Sequence, residues 1–462
     1  MGPDAYRAAP LERKNPIFIP SELSNQSGLN SSRSQPQGLQ PGMRIVAGRS
    51  GDHFRVMSLL RQAYQHDLAN DFQSHLDEPA YEPADRLLVT SRGGLVGHLQ
   101  VLRQSTWFEE QRIPVAAFRD TVVMAEFQGI GLLKSLLERA EIEAEAGGAV
   151  LALARPEDST SFAARGWSCF RGQGFTQANT RTLMAHVSAG LATRRHRFAP
   201  LEVRTWWHYE LDAIRPIFEE VGARLWGTQC RSEETWRWLV GRKSHDQILI
   251  AIDHRSELAI DRSVPPVVGY AVVRDARLVE IMCLPEYPAV PALLVARICQ
   301  DAIDQDHHSV TLHAPASDPL HELLVTAEGS WITQASPAGG EWWVKLLSPE
   351  RWVDRLSPRF LDRARSAGIP RPMTLTLAVE GRHYELVLTR RSLRLNCATA
   401  TAHPDVACNA ATFQDLLLSN LDIPEAIRNR WLRVSDKQTT AILAGLFPPR
   451  YFWQSHFELL RI

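Results

Sequence analysis

Two glycines, Gly129 and Gly131, sit in the run Gln128-Gly129-Ile130-Gly131-Leu132-Leu133, between an apolar strand pattern and an amphipathic helix pattern. Glycine lets the backbone approach a ligand closely, and a helix starting at such a turn offers N–H groups without intrahelical partners. Those donors and the positive end of the helix dipole suit an anion, a phosphate above all. Two known phosphate patterns fail. The dinucleotide fingerprint G-x-G-x-x-G needs glycine where Lys134 stands, and the nucleotide loop G-x-x-x-x-G-K-[ST] needs glycines at Gln128 and Leu133. An ordinary glycine-rich strand-to-helix turn is the other reading of these residues.

The elements that must position this turn follow from periodicity. A buried strand runs into it through Thr121, Val122 and Val123. Leu133, Leu136, Leu137, Ala140 and Ala144 share one helix face, Gly147-Gly148 ends the helix, and the apolar run to Ala154 is a second buried strand. Upstream, Met43-Arg44-Ile45-Val46 reads as a strand, followed by a helix opened by Ser50 and Asp52 and by two strands around Gly93-Gly94. Residues 1–41, rich in Pro, Ser, Gln, Asn and Gly, read as a disordered extension or a mistaken start.

Gln128-x-x-Gly131-Leu132-Leu133-x-x-Leu136-Leu137 resembles the Q/R-x-x-G-x-x signature of the GNAT acetyltransferases, and its Gly-Leu-Leu ending points to their enhanced intracellular survival branch. The resemblance implies acetyl-CoA as co-substrate. Its pyrophosphate would lie on the amides of Gln128, Gly129, Ile130, Gly131, Leu132 and Leu133, and its pantetheine arm along Thr121, Val122 and Val123. It also implies a splayed gap beside that strand, where a backbone N–H polarises the thioester carbonyl. Val122 and Val123 are the candidates for that donor, with core packing as their other role.

A family segment like A-S-E-G-x-I-Y-G-R-F-G-Y is matched in step by residues 156–167. Glu157 and Asp158 then lie beside the cofactor arm, or cap the loop, and Phe162 stands where the family has its proton-donating tyrosine. Phenylalanine has no hydroxyl, so water, Ser161 or Ser168 must donate, or the protein is slower or no enzyme. The family's base is its own C-terminal carboxylate behind an aromatic residue. With Phe457 as that aromatic, Ile462 lies beyond the expected end, and His456 and Glu126 are alternative bases. A packed C-terminal strand with a satisfied histidine is the plainer reading.

Residues 200–345 repeat the strand–turn–helix–strand order, and Val267-Val268-Gly269-Tyr270 echoes Leu95-Val96-Gly97-His98. Their turn, 284–291, carries Pro285, Pro288 and Pro291 and the acidic Glu286, which removes donors and repels a phosphate. From 346 onward, alternating strands and two helices, with Thr412 and Ser435-Asp436 at their starts, resemble the sterol carrier protein fold. The expected fold class is therefore α+β: tandem GNAT folds over 42–195 and 196–345, the second degenerate, then a sterol-carrier-protein-like domain over 346–462.

A net charge of −1 gives no general pull toward nucleic acid or an anionic membrane. Six scattered cysteines without a C-x-x-C pair argue against a metal site and for a reducing cytoplasm. No apolar run approaches the roughly 18 residues of a membrane span, and no signal-peptide core is visible. The expected activity is N-acetylation of an aminoglycoside-like small molecule or a lysine. Resemblance implies a homo-oligomer. A non-catalytic acyl-CoA-binding protein, or an apolar-ligand carrier using the last domain, are the alternatives.

Overall fold

A computed structural model describes residues 39–64, 69–156, 158–194, 201–254, 266–333 and 341–459. In the first sheet, β1 (Met43–Ala47), β2 (Arg86–Ser91), β3 (Gly94–Phe108) and β4 (Gln111–Val123) run antiparallel, and β5 (Leu151–Ala154) joins β4 in parallel. Helices α1 (His53–Tyr64) and α2 (Ala69–Leu76) precede β2, α3 (Leu132–Ala146) links β4 to β5, and the short α4 (Ser159–Ala163) follows. The parallel step is possible because α3 provides the crossover, burying Leu132, Leu136, Leu137, Ala140 and Ala144 against the sheet.

A second sheet of seven strands has Arg277–Cys283 and Ser309–Leu312 as its parallel pair, joined through the helix Val290–Asp304. A third, of five strands, is built around the meander Met373–Val379, Arg382–Leu388 and Leu393–Cys397. Alternation buries Leu375, Leu377, Leu386 and Leu388 against Trp352, Phe360 and Leu443, in a core continuous with Val115 and Leu151 of the first sheet.

The sheets do not divide at the boundaries expected from sequence. Gly174–Asn179 pairs with Ser309–Leu312, and Leu183 and Val187 of the next helix are buried beside Leu294 and Ile298, so this stretch belongs with the second sheet. Trp343–Leu346 pairs with β5 in the first sheet. Each sheet thus lends the other a strand. At residue 412 the cap is also displaced: Asn409 caps the helix, its Oδ1 accepting from the Thr412 N–H at 2.7 Å, and Thr412 lies inside. Asp436 does cap the helix Lys437–Leu446, accepting from the Thr439 N–H at 2.7 Å.

Candidate active site

Gly129 (φ 76°) and Gly131 (φ 82°) both adopt the left-handed conformation, with Gly131 as the N-cap of α3. No atom lies within 4 Å of where a Cβ would sit on either, so glycine here serves backbone shape and an open approach. The amides of Gly129, Ile130 and Gly131 make no hydrogen bond among the described residues, and the first turn of α3 opens without i−4 partners. Gly129 and Gly131 line a cavity of about 970 Å³ together with Thr121, Val122, Val123, Gln128, Leu132 and Leu133. Ile130 instead turns its half-buried side chain onto the core, and Gln128 donates from Nε2 to the Val123 carbonyl at 3.2 Å, tying the turn back to the strand.

The edge of β4 beside this turn is open. Its pairing with β5 stops at Phe118 and Ala154, while β4 continues to Val123, so the two strands splay where the cavity begins. On the other edge, Gln100 faces Arg119 and His98 faces Val122, so Asp120 and Thr121 together oppose Leu99. This bulge, with Asp120 at φ 49°, reverses the parity of the strand. Phe118 points into the α3 side of the core, whereas Val122 is buried with Val56, Leu59 and Leu60 of α1.

Around the bulge lies a chain of polar groups that the sequence reading missed. His53 Nε2 meets Tyr81 Oη at 2.8 Å, and Arg86 Nε donates to the same hydroxyl at 3.1 Å. Arg86 Nη1 donates to His98 Nε2 at 2.9 Å, and His98 Nδ1 then donates to the Asp120 carbonyl at 2.7 Å. The Asp120 carboxylate lies 3.6 Å from His75 Nδ1 on α2. Burial pushes His98 down to about 4, with the Arg86 guanidinium adding to it, so its ring is neutral. For Asp120, burial alone would raise the pKa, but His75, His98 and Arg86 outweigh it and hold the carboxyl well below its usual range. Next to it, Arg119 Nη1 donates to Glu78 Oε2 at 2.9 Å. The pair Arg119-Asp120 inside the apolar run AAFRDTVV was the available signal: two charges that a buried strand carries only when they are partnered.

The catalytic candidates from sequence are mostly corrected. Phe162 is buried in the core, edge-on to Trp167 at 5.0 Å between centroids, and does not line the cavity. Its neighbour Asp158 does line it, while capping α4 through the Ser161 N–H and hydroxyl. Ser161 lines the cavity as well, whereas Ser168 is occupied by Gln414 Nε2 at 2.9 Å. His456 stacks on His313 at 4.0 Å with both Nδ1 atoms buried and unbonded, away from the cavity. Burial, then His313, Arg155 and Arg277, force its pKa well below the ordinary value, so it is no base for the cavity. Phe457 fills the core of the second sheet with Trp236 and Tyr270. Arg242 donates to the carbonyls of Phe457, Glu458 and Leu459, fixing the tail as far as Leu459. Glu126 lies exposed in a short 3-10 turn on the cavity wall. Glu157 and Ile462 lie outside the described residues, as do most of residues 1–41.

Residues 44–170 match the family model of the acetyltransferase (GNAT) domain. In fold, the chain is similar to the GCN5-related N-acetyltransferases of Anabaena variabilis and Kribbella flavida, with TM-scores of 0.68 and 0.67. Identity is 13% to each, over 89% of this chain and 99% of each of theirs. Eis1 from Mycobacterium abscessus is similar at a TM-score of 0.61 and 14% identity, over 89% of this chain and 98% of that one. No curated protein matches the sequence. At these identities the likeness speaks for the fold. The matched residues take in β2 to β5 of the first sheet, the glycine turn and the cavity wall, and leave Trp343–Leu346 of that sheet outside the match.

Proposed function

We propose that this protein is an acetyl-CoA-dependent N-acetyltransferase acting on a small-molecule amine, aminoglycoside-like, or on a lysine. One observation carries the reading: unpaired amides at a left-handed glycine turn lie on the wall of a cavity of about 970 Å³ that runs along a splayed strand edge. The amides suit a pyrophosphate, and the free edge of Thr121–123 suits the amide-bearing arm behind it. Lys134 on the same wall adds positive charge, whereas the Arg165 guanidinium there is neutralised by Glu138 and Glu141 at 2.8 and 3.0 Å. The second unit is then a degenerate GNAT-like fold and the last a sterol-carrier-like one, together forming walls for the acceptor in a cytoplasmic homo-oligomer.

A second reading, a non-catalytic acyl-CoA-binding protein, is favoured by Phe162, whose buried ring offers no proton to a departing thiolate. Calorimetry with acetyl-CoA and a CoA-release assay with a panel of amines separate the two. Release that depends on both substrates supports the enzyme, tight binding without release supports the second reading, and no binding sinks both.

A further inference from the structure

The cavity beside the glycine turn is not confined to one face of the sheet. Leu132 and Leu137 line it from α3, and Leu59, Gln62, Ala63 and Tyr64 line it from α1. Those helices cover opposite faces: Phe118 of β4 is buried with Leu136 and Leu137, whereas Val122 is buried with Leu59 and Leu60. The cavity therefore reaches both faces, past the end of β4 that β5 leaves unpaired. The glycine turn opens α3, so the donors for an anionic cofactor belong to the α3 side. The arm on α1 has a different chemistry. Leu59, Ala63, Val122 and Met124 present carbon and a thioether, Tyr64 a ring, and Gln62 an amide. Among the described residues on the cavity wall, the carboxylates are Asp158 and Glu126. Asp158 is engaged in capping α4, accepting from the Ser161 N–H at 3.2 Å and from its hydroxyl. Glu126 is exposed in the turn that leads into the glycines.

Given the acetyltransferase reading, on which this rests, we infer that the acceptor enters on the α1 face and is a monoamine on an apolar body the size of an aromatic ring. Leu59, Ala63 and Tyr64 form the wall that selects it. A polycation in this arm would bring several ammonium groups against carbon, each losing hydration without a carboxylate in return. A single amine on an apolar body avoids that cost: the body is covered by the Leu59 side chain and the Tyr64 ring, and the nitrogen points to the gap in the sheet. There the nitrogen lone pair forms the C–N bond as the C–S bond breaks with its electron pair on sulfur. Of the two protons that the ammonium gives up, one ends on the thiolate and one in solvent. The inference thus narrows the small-molecule amine of the reading above, and does so against an acceptor of high positive charge.

The test compares three amines in the full chain with saturating acetyl-CoA: phenethylamine, ethylamine, which lacks the ring, and the triamine spermidine. CoA release should give phenethylamine a kcat/KM about tenfold or more above both others, as burial of a phenyl ring predicts. Ala63 is exposed on α1, and glutamate is a good helix former there. Ala63→Glu puts a carboxylate on the wall and should cut the phenethylamine-to-spermidine ratio by about fivefold, whereas the uncharged Ala63→Gln should leave it within about twofold. Acetyl-CoA affinity should be unchanged in both. Preference for spermidine or ethylamine, or a ratio that Ala63→Glu does not move, overturns the acceptor class and leaves the acetyltransferase standing. A chain that binds acetyl-CoA and acetylates none of the three overturns the enzyme reading. Calorimetry of phenethylamine on the CoA-loaded chain then decides the α1 arm by itself. Binding that Ala63→Glu weakens supports the arm, and absent or unmoved binding overturns it.

Discussion

The first and second sheets contain the same strand–turn–helix–strand sequence of elements, and they use the space beside the strand in opposite ways. In the first, β4 and β5 part after Phe118 and Ala154, and the gap opens into the cavity. In the second, Arg277–Cys283 pairs in parallel with Ser309–Leu312 only at Arg277 and Leu278, and the gap is filled by the chain's own tail. Trp453 Nε1 donates to the His313 carbonyl, Ser455 Oγ to the Val279 carbonyl, and His456 stacks on His313. The turns differ in the same sense. Above Gly131 there is open space; at the second turn, Val290 packs so closely on Gly269 that a Cβ there would lie 2.7 Å from Val290 Cγ1. It also has fewer donors to offer, with the Tyr287 N–H on the Leu284 carbonyl, the Val290 N–H on the Tyr287 carbonyl and prolines at 285, 288 and 291. A splay is a vacancy only when the rest of the chain leaves it one.

The contrast can be broken at either end. Gly131→Asp puts a carboxylate into the free space and a side chain onto a left-handed backbone. Calorimetry should show acetyl-CoA affinity falling by about a hundredfold, ~2.7 kcal/mol, and unchanged affinity in a folded variant would remove the turn from the site. Gly269→Ala, in the filled counterpart, should leave affinity alone and cost about 2 kcal/mol of stability by overpacking against Val290, as read by denaturant unfolding.

Phe162→Tyr sharpens the view of the first sheet's core. A hydroxyl added to a ring enclosed by Trp167 and its neighbours should cost about 1.5 kcal/mol and bring no gain in turnover. A faster, equally stable variant would show that the ring reaches the reacting groups after all.

The tail's docking should weaken as the pH rises through the titration of Glu458. Burial, helped by Glu280, raises Glu458 to about 7 from an ordinary 4.5, against the pull of Arg231 at 2.9 Å. Between those values the folded chain keeps a proton that the unfolded chain has lost, so this group's contribution to stability is full below about 4.5 and is lost as pH rises to about 7. Unfolding of Glu458→Gln should lack that decline, and an unchanged pH dependence would mean that the carboxylate is ionised throughout. Least in effect, titration of the wild-type chain should saturate at one acetyl-CoA, since the second gap is already occupied.

The strand, glycine turn and helix over 118–154 were legible because period and punctuation are local: apolar alternation, two glycines, then a 3.6-residue face ended by Gly147-Gly148. The prolines of the second turn were legible for the same reason. The bulge was not, because it is a property of pairing with β3, and neither was His75, which reaches Asp120 from a helix far upstream. Matching position to position along residues 156–167 placed Phe162 at a catalytic post, but the direction of its ring is set by Trp167 and the packing around it. For His456 the sequence left a base and a packed, satisfied histidine both open, and the second sheet decides for packing, against His313 and with its Nδ1 unbonded.

The exchange of strands has a consequence for how the chain is made. β5 receives its outer partner from Trp343–Leu346, about 190 residues later. At about 5–20 residues per second, a ribosome needs roughly 10–40 s to deliver that partner after β5 has emerged. Through that interval the nascent first sheet presents an apolar, unpaired edge at Leu151 and Leu153, the kind of edge that recruits other chains. A chaperone holding the nascent polypeptide, or slow synthesis followed by rapid closure, would therefore govern its yield more than the stability of the finished fold. Expression of a fragment ending at residue 195 would make the exposure permanent.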